Sequence, residues 1–522
     1  MFYDIIIIGG GIGGIYTLYK LSQKYPELRI LLIEKEKQLG GRISTFVEKG
    51  MVLEKGAGRF NDSHIRLIQL IQELHLKHKI RKTSTEVVYM PDKNGKYEEN
   101  QSSINILDSL LGMVLGKDNS KQKLEKLILR VIIASFFESK QTLMRMSFIQ
   151  YSRKILTKNQ IQYIENSFGY YKELHDMNAY NCIQLLNVLN PMNNNYVMNG
   201  GLSTIIEKLV DNINKNKNCL ILTDRKVNDI QLLSGGEHDT FQLTLDQTLS
   251  SHSSTPEFSV QASSSTPPLL QTLATPKSAA EGSSSEFKRN VMPNGSQRLA
   301  SPKGRGGPRL CTFLQTLSSH SSTPPLLQES SIKYYCDKII CALPREALIQ
   351  FPIFKTIREK WLDKITSGSL CRIYSRFAKN ADGRYWFQDL PKITTNNALR
   401  MMIPYDLENG VIMISYTDSQ FADYWYRLYR SKGIHAMNRK IKKLVKEITD
   451  IDIPKPLDTK IFYWEMGEGY WDVGADSEYI SSHVLKPFEK MDLYICGENY
   501  SGNYQQWIEG ALDTSQKVVD LI

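Results

Sequence analysis

Short runs of consecutive apolar residues, rich in isoleucine, leucine and valine, mark the two ends of the chain. They form most of residues 3–8, 29–33, 338–342 and 411–416, each of which includes one polar or charged residue. Uninterrupted apolar runs of this length are typical of strands whose two faces are both buried. The pattern therefore predicts buried β-strands in both the amino-terminal and the carboxyl-terminal part of the chain.

Between these ends, apolar residues recur at the spacing of three and four that is typical of helices. One such pattern covers 65–74 and follows Asp62 and Ser63, whose side chains are suited to the N-cap of a helix. A second pattern covers 124–137, and a third, over 434–448, places basic residues opposite an apolar stripe. We expect a helix-rich middle and a later amphipathic helix with a solvated basic face.

Residues 249–331 differ in composition from the rest of the chain. They are crowded with serine, threonine, proline and glycine and contain no isoleucine, tyrosine or tryptophan. The segment QTLSSHSSTP at 247–256 recurs at 315–324. Such a segment has too little apolar surface to form a core, so we predict a low-complexity, disordered insertion. A tolerated loop expansion and a docking segment for partners are both compatible with it.

The composition excludes several classes of protein. The 522 residues include 65 basic and 55 acidic side chains, and the net charge of +10 is spread along the chain, so no nucleic acid partner is expected. Seven cysteines without a C-x-x-C pair, and nine histidines without metal-ligand spacing, predict a reducing compartment and no metal site. The sequence shows no signal peptide pattern and no apolar run of about 18 residues, so we expect a cytoplasmic protein without a membrane partner.

The first apolar run leads directly into a glycine motif. Gly9, Gly11 and Gly14 satisfy G-x-G-x-x-G between a predicted strand and a predicted helix, and Ile12 and Gly13 belong to the same loop. In this arrangement the first glycine makes the turn, the second makes room for a pyrophosphate, and the third lets the helix approach the sheet. The phosphates then lie at a helix N-terminus, where backbone N–H groups and the helix dipole favour negative charge.

A carboxylate follows at the spacing that a dinucleotide site requires. Glu34 ends the second predicted strand, about twenty residues after Gly14, and Lys35 follows it. A carboxylate in this position accepts hydrogen bonds from the ribose hydroxyls and disfavours a 2′-phosphate. Strand, loop, helix and acidic residue occur in the order of a Rossmann-like unit, so the sequence predicts a site for a dinucleotide, either NAD or FAD.

Later motifs favour FAD. Residues 39–42 (Leu-Gly-Gly-Arg) and 56–60 (Gly-Ala-Gly-Arg-Phe) resemble two loops of the FAD-dependent amine oxidase family, which includes monoamine and polyamine oxidases. The segment Asn-Gly-Gly-Leu at 199–202 resembles the glycine pair that precedes a helix in that family. Residues 497–501 and 507–512 are similar to the signature that brings a helix N-terminus to the flavin. The motifs occur in the family's order along the whole chain except the insertion.

The resemblance implies FAD contacts beyond the first loop, with Val227 expected at the adenine. The implied contacts are Gly41, Arg42, Gly58, Arg59, Phe60, Val227, Gly497, Glu498, Trp507, Ile508 and Ala511. Covalently flavinylated members of the family have a cysteine in the region that corresponds to residues 463–491. Because this chain has none there, the resemblance implies that FAD is bound without a covalent bond.

The implied fold is an α/β protein with a discontinuous Rossmann-like FAD-binding domain. That domain comprises residues 1–75, 196–248, 332–365 and 461–522. Residues 76–195 and 366–460 are implied to form a mixed α+β substrate-binding domain. The insertion at 249–331 then falls in a loop between two strands of the FAD-binding domain, where a long loop is tolerated.

The resemblance also implies a reaction. The flavin takes a hydride equivalent from the carbon beside the nitrogen of a small-molecule amine, an imine forms, and dioxygen reoxidises the flavin with release of hydrogen peroxide. Trp507 is the first candidate for an aromatic contact with the amine, and Tyr470 and Trp471 are further candidates. Arg372 stands where the family has a lysine near the flavin N5, and its permanent charge and planar donor fork differ from those of a lysine.

Two other functions are compatible with the same FAD motifs. One is a desaturase or oxidase of carbon–carbon bonds, as in relatives that act on carotenoids or porphyrinogens. The other is a flavin-binding interaction protein with little or no turnover, because fold-level likeness determines the cofactor more firmly than the reaction. The motifs specify neither the amine nor an oligomeric state.

Overall fold

The computed structural model describes residues 1–83, 87–92, 120–188, 193–233, 240–246 and 332–522. The disordered insertion predicted at 249–331 lies outside the described residues. The described strands, numbered along the chain, are β1 Phe2–Ile8, β2 Ile30–Ile33, β3 Thr45–Glu48, β4 Met51–Glu54, β5 Phe60–Asn61, β6 Ile80–Lys82, β7 Val87–Tyr89, β8 Asn195–Met198, β9 Cys219–Leu222, β10 Val227–Leu233, β11 Thr240–Leu245, β12 Ile332–Cys341, β13 Ile365–Arg376, β14 Lys392–Thr394, β15 Met401–Asp406, β16 Val411–Asp418, β17 Asp458–Trp471 and β18 Leu493–Ile495.

The described helices are numbered in the same way. They are α1 Ile12–Lys24, α2 Ile65–Glu73, α3 Ser120–Ser135, α4 Lys140–Met144, α5 Phe148–Ser152, α6 Lys158–Ser167, α7 Lys172–His175, α8 Ala179–Val188, α9 Ser203–Ile213, α10 Arg345–Leu348, α11 Lys355–Arg358, α12 Ser419–Thr449, α13 Ser477–Val484 and α14 Ile508–Leu521. Short 3-10 helices cover Lys77–Lys79, Pro352–Phe354, Leu362–Lys364 and Glu498–Tyr500.

Within the described chain, the largest sheet contains seven strands in the order β10-β11-β12-β1-β2-β9, with β18 pairing with β12. Strands β12, β1, β2 and β9 run parallel to one another. Residues 5–8 of β1 are almost fully buried within a core to which helices α1, α9 and α14 also contribute. The strands predicted at 3–8, 29–33 and 338–342 are therefore confirmed as β1, β2 and the end of β12.

The predicted insertion connects two neighbouring strands of this sheet. Strands β11 and β12 are antiparallel, and Leu245 lies opposite Ile332 across the ladder. The ends of the connecting segment are thus close together. The expectation that residues 249–331 fall between two strands of the nucleotide-binding sheet is confirmed.

A second sheet has six strands, in the order β17-β13-β16-β15-β14-β7. It includes β16, which confirms the strand predicted at 411–416. Strand β17 runs from Asp458 to Trp471 and spans the boundary predicted at residue 461. The division into an FAD-binding and a substrate-binding domain stays a prediction.

The helical middle packs around its own apolar cluster, which includes Leu127, Val131 and Ile164. Helix α3 confirms the pattern at 124–137, and α12 contains the amphipathic pattern at 434–448. In α12 the apolar stripe, which includes Met437, Ile441 and Leu444, is buried. Gly433 interrupts this helix with a φ of +72°. Among the described helices, none combines the length and the apolar composition needed to cross a membrane.

One sequence expectation fails at the start of α2, where Asp62 and Ser63 were expected to cap the helix. The N-cap is His64, and its side chain makes no capping hydrogen bond. The backbone N–H groups of Arg66 and Leu67 instead donate to the two carboxylate oxygens of Glu509, both at 2.9 Å. A residue more than 440 positions away along the chain thus caps this helix.

Candidate functional site

The first glycine loop connects β1 to α1 and has the geometry that its spacing predicts. A Cβ atom on Gly14 would lie 1.9 Å from the carbonyl oxygen of Gly9, so only glycine permits this approach of helix and loop. A Cβ atom on Gly11 would meet no atom within 4 Å, because Gly11 faces a cavity. Gly11 is the N-cap of α1, so the N-terminus of this helix is directed at the same cavity.

Glu34 lies at the end of β2 on the wall of this cavity. Its carboxylate accepts hydrogen bonds from the backbone N–H groups of Gly10 and Glu36. Burial raises the pKa of Glu34, while these two hydrogen bonds oppose the shift. Each carboxylate oxygen can accept more than one hydrogen bond, so Glu34 retains acceptor capacity for ribose hydroxyls.

The second glycine loop, at residues 39–42, contacts the first. The N–H of Gly40 donates to the carbonyl oxygen of Gly10 at 2.8 Å. Arg42 then forms an ion pair with Glu498 at 2.7 Å and donates to the carbonyl oxygen of Gly467 at 3.1 Å. These contacts join the amino-terminal loops to the carboxyl-terminal motif, although the residues are more than 400 positions apart in sequence.

A cavity of about 1500 Å³ extends along these loops. It exceeds the roughly 300–1,000 Å³ of a typical pocket for one small ligand. Sixteen of the predicted FAD contacts line it: Gly9, Gly11, Ile12, Gly13, Glu34, Lys35, Gly41, Arg42, Gly58, Arg59, Val227, Gly497, Glu498, Trp507, Ile508 and Ala511. Arg372, predicted as a catalytic residue, also lines the cavity.

The structure does not bring four of the predicted site residues to the cavity wall. Gly14 contacts the backbone of Gly9 beneath the loop, and Phe60 is buried against Tyr196. Trp471 is fully buried and donates its indole N–H to the carbonyl oxygen of Ser501 at 2.9 Å. Tyr470 is also fully buried, and its ring belongs to the apolar cluster of the helical middle.

Arg372 projects from β13 into a buried setting. Its guanidinium lies 4.6 Å from the ring centroid of Tyr416 and donates to the carbonyl oxygen of Glu54 at 3.2 Å. It also lies against Gly58, where an added Cβ atom would come within 2.7 Å of Nη1. The arginine is therefore held between the loop at 56–60 and a tyrosine ring.

Trp507 lies at the start of α14, the helix that the carboxyl-terminal motif brings to the cavity. The guanidinium of Arg59 lies 5.8 Å from the centroid of its indole ring. On another side, the ring of His64 lies 4.6 Å from that of Trp507. Burial and the nearby Arg59 lower the pKa of His64 to about 3, so this imidazole is neutral. Trp507 is thus held between a cation and an uncharged ring.

Sequence motifs missed another part of the cavity wall, which is formed by Tyr170, Glu173, Tyr416 and Glu468. The rings of Tyr170 and Tyr416 meet edge to face at 5.6 Å. Both glutamates are buried, and burial is the main cause that raises the pKa of each. Tyr170 and Glu173 lie at the start of α7, Tyr416 in β16 and Glu468 in β17, and none of the four belongs to a motif. The one local signal is a glutamate within the apolar and aromatic end of a strand, at Glu468.

The chemistry of the wall fits FAD. Gly11 leaves open space at the N-terminus of α1, where a pyrophosphate would be held. Glu34 would offer acceptors for a ribose, and Val227 would provide an apolar contact for an adenine; both line the cavity. Arg59 and the N-terminus of α14 provide positive potential further along the cavity, where Arg42 is paired with Glu498. No group of three or more potential ligands is spaced for a metal ion among the residues described.

Comparison with known proteins gives the same assignment. The family model for flavin-containing amine oxidoreductases matches residues 12–252. An uncharacterised protein of Acanthamoeba polyphaga mimivirus is 35% identical over 100 residues, 19% of this chain and 18% of that protein. Coproporphyrinogen III oxidase of Bacillus subtilis is 29% identical over 90 residues, 16% of this chain and 19% of the relative. Each of these curated relatives is thus matched over less than a fifth of its length.

The fold is shared over a much greater length. A structure of wild-type putrescine oxidase bound to putrescine matches with a TM-score of 0.63 at 11% identity, covering 100% of this chain and 98% of that one. At such low identity the likeness shows the fold alone. The family model over residues 12–252, the whole-chain fold and the residues that line the cavity together support the flavin-containing amine oxidoreductase family for this chain, with FAD as its cofactor.

Proposed function

We propose that this protein oxidises a primary or secondary amine to an imine, with dioxygen as the acceptor and release of hydrogen peroxide. One observation carries the proposal: beyond the nucleotide loops, the cavity wall combines the buried carboxyls Glu173 and Glu468 with the tyrosine rings Tyr170 and Tyr416. Carboxyl groups and aromatic faces are the groups that bind an ammonium ion. The family match supports flavin chemistry at this place.

When bound, FAD supplies the redox chemistry, accepting the hydride equivalent from the substrate carbon. The chain's own residues orient the amine and exclude water. Trp507 and Tyr416 offer aromatic surface at the wall, and Arg59 and Arg372 hold positive charge against those rings. Because Arg372 stays protonated at any working pH, it fixes a cation at this point of the wall.

We propose that FAD is bound without a covalent bond. No cysteine is found among the cavity-lining residues in the part of the chain that the structure describes. Cys496, next to Gly497, is buried and lies 3.8 Å from the hydroxyl oxygen of Thr17. Denaturing the purified protein with acid is expected to release all of its flavin into solution. Flavin that stays with the precipitated chain would contradict non-covalent binding.

The amine assignment is tested by titrating the flavin-loaded protein, without oxygen, with a panel of primary and secondary amines. We expect at least one amine to bleach the flavin absorbance, and admission of oxygen to restore it with about one hydrogen peroxide per flavin. The same amine should sustain peroxide release under turnover. If no amine in the panel bleaches the flavin, the proposed function is wrong.

Oxidation of carbon–carbon bonds is the second candidate. Coproporphyrinogen III oxidase of Bacillus subtilis is among the relatives that match by sequence. The cations of this wall also suit a substrate with carboxylates, because Arg59 and Arg372 both line the cavity. Under the same oxygen-free conditions, bleaching by coproporphyrinogen III and by no amine would favour this candidate. Bleaching by neither class would favour a flavin-binding interaction protein.

A further inference from the structure

Three carboxyl groups lie near one another where the six-stranded sheet meets the cavity. Glu173 comes from α7, Asp418 from the end of β16, and Glu468 from β17. Their relative exposures are 3%, 0% and 8%, so all three are buried. Glu173 and Glu468 line the cavity, whereas Asp418 lies behind them. Carboxyl groups this buried require a compensating partner or a bound proton.

The three carboxyl groups differ in the hydrogen bonds that they accept. Asp418 accepts from the backbone N–H groups of Tyr171 and Lys172, each at 2.9 Å. In contrast, the buried oxygen atoms Oε2 of Glu173 and Oε1 of Glu468 have no hydrogen-bond donor among the described residues. An unmet acceptor in the interior costs on the order of 1–3 kcal/mol. The hydroxyl of Tyr470 is the described donor nearest in kind to Glu468 and is itself unpaired, and both carboxyl groups line the cavity, where they are open to a donor that binds there.

The nearby cations are engaged with other acceptors. Arg42 is ion-paired with Glu498. The Nζ of Lys172 donates to the carbonyl oxygen of Ser367 at 2.9 Å. The guanidinium of Arg400, behind Asp418, donates to the carbonyl oxygens of residues 165, 169 and 395. None of these hydrogen bonds ends on Glu173 or Glu468, so the pair faces the cavity without a direct cationic partner in the described chain.

The electrostatic setting gives Glu468 an unusual protonation range. Burial, followed by the charges of Asp418 and Glu498, raises the pKa of Glu468 to about 8, and Arg42 and the nearby hydroxyl of Tyr470 oppose the shift. Burial, Asp418 and Glu468 raise the pKa of Glu173 well above its usual range, and Lys172 opposes it. At neutral pH the pair therefore holds protons. Glu468 can release and regain its proton near the pH at which enzymes of this kind work.

We propose that Glu468 is a catalytic proton acceptor, which takes a proton from the ammonium form of the substrate while Glu173 accepts a second N–H of the same nitrogen. This inference rests on the proposed amine oxidation. The step starts from the ionised form of Glu468, which is populated as the pH approaches and passes about 8: one N–H bond of the ammonium breaks and one O–H bond forms on Glu468. A positive and a negative charge become a neutral amine and a neutral carboxylic acid, and no electron is transferred. The amine then has the free lone pair that the oxidation of its carbon requires.

The direction of this transfer follows from burial. A primary amine in water has a pKa near that of lysine, about 10.4, and is protonated at neutral pH. Burial disfavours the charged form, and buried lysines with a pKa of about 5–6 are known. In the cavity, a neutral amine beside a neutral carboxylic acid is therefore favoured over an ammonium–carboxylate ion pair, because the attraction between the charges does not fully offset the cost of removing them from water. An ammonium nitrogen carries three N–H donors, so it can donate to both carboxyl groups at once.

The test uses tert-butylamine, which has no hydrogen on the carbon beside nitrogen and cannot be oxidised. Its binding to the flavin-loaded protein is measured by calorimetry in two buffers that differ in ionisation enthalpy, so that proton exchange with the buffer is counted. At about pH 7, where Glu468 starts protonated, we expect close to one proton released per amine bound. At about pH 9 Glu468 is already ionised and the amine in water is still protonated, so the proton passes from one to the other and we expect close to none to be released.

Glu468→Gln removes the titrating group and keeps the shape of the side chain. We expect the difference between the two pH values to vanish, whichever form of the amine this variant binds. Glu468→Asp keeps a carboxyl and should restore the difference. Glu359→Gln makes the same chemical change at an exposed position and should behave as the unmodified chain. Proton release that is equal at both pH values in the unmodified protein, or a difference that survives in Glu468→Gln, would overturn the proposal.

Kinetics provide a second readout with an oxidisable amine such as n-butylamine. Removal of the acceptor should lower kcat/KM at about pH 9 by a factor on the order of 10²–10⁴. The rise of kcat/KM near pH 8 should disappear, leaving only the ionisation of the amine itself. If amines reduce the flavin but this rise is the same in Glu468→Gln, the role of Glu468 is wrong and the amine oxidase assignment stands. If no amine reduces the flavin, the assignment itself fails.

Discussion

Two glycines of the first loop have different roles, as their places in the motif predict. Gly14 is needed for packing, because a Cβ atom there would overlap the carbonyl oxygen of Gly9 at 1.9 Å. Gly11 has open space around its missing side chain and is needed only when the pyrophosphate is present. A substitution at Gly14 should thus act on folding, and one at Gly11 on the cofactor alone.

Gly11→Ala and Gly14→Ala form a matched pair that tests this division. We expect Gly11→Ala to unfold at the same temperature as the unmodified chain in the absence of FAD, but to bind FAD at least about tenfold more weakly, or about 1.4 kcal/mol. Gly14→Ala should lower the unfolding temperature of the apoprotein. Flavin content after purification and thermal unfolding measure the two effects. Full flavin content in Gly11→Ala would contradict the placement of the pyrophosphate.

Among the four candidate catalytic residues, closeness in sequence to a cavity-lining residue did not predict whether a side chain lines the cavity. Tyr470 and Trp471 are adjacent to each other and near Glu468, yet both rings are buried away from the wall. Trp507 and Arg372 do line the cavity. Successive side chains of a strand point to opposite faces, and the packing of the sheet decides which face the cavity reaches. An aromatic residue near a motif therefore does not by itself indicate a substrate contact.

At the scale of elements, capping of α2 shows how tertiary contacts replace a local signal. Asp62 and Ser63 precede the helix with suitable side chains, but Asp62 instead accepts hydrogen bonds from Asn194 and Tyr196. Glu509, in the first turn of α14, supplies both carboxylate oxygens to the free N–H groups of α2. Glu509 of α14, the helix whose start lines the cavity, thus also caps α2 in the amino-terminal part of the chain.

Glu509→Ala is expected to destabilise the protein by about 1–3 kcal/mol, because it leaves two helix N–H groups without an acceptor, one of them buried. Asp513→Ala is the control. It removes the partner of Arg66 at the surface, 3.2 Å away, where an ion pair contributes at most about 1 kcal/mol. Urea unfolding curves for both variants measure the difference. Equal and small losses for the two variants would show that Glu509 does not hold α2 in place.

At the scale of the whole molecule, a long segment connects two neighbouring strands of the nucleotide-binding sheet. The ladder between β11 and β12 ends with Leu245 opposite Ile332. Two antiparallel strands that meet in this way can be joined by a short turn. Nothing in the pairing of the described strands requires the 85 residues from 247 to 331.

A chain in which a glycine–serine linker of about four residues joins Asp246 to Ile332 should therefore fold and bind FAD. We expect its flavin content to equal that of the full chain and its unfolding temperature to differ by only a few degrees, since loop length has a weak effect on stability. Flavin absorbance and thermal unfolding of the two proteins provide the comparison. Loss of flavin or aggregation of the shortened chain would show that residues 247–331 support the fold.

The sequence by itself determined the nucleotide-binding end of the site. Gly9, Gly11, Gly14 and Glu34 could be read directly because their spacing follows from the geometry of one strand, one turn and one helix. The loop at 39–42 and the motif at 497–501 could be recognised for the same reason, since each is a short, contiguous segment. The apolar runs also predicted the strands of the central sheet, because a strand buried on both faces needs an uninterrupted apolar surface.

Only the tertiary structure determined which residues form the part of the cavity where we propose that the substrate binds. Residues 173, 418 and 468 approach one another because β13 pairs with β16 on one side and β17 on the other, and because the start of α7 is held by Asp418. No local pattern encodes that approach. The protonation of Glu468 is likewise a property of its burial and its neighbours rather than of its residue type. The glycines thus identify a dinucleotide site from sequence and the later short motifs favour FAD, whereas the carboxyl groups that we propose meet the substrate are brought together by folding alone.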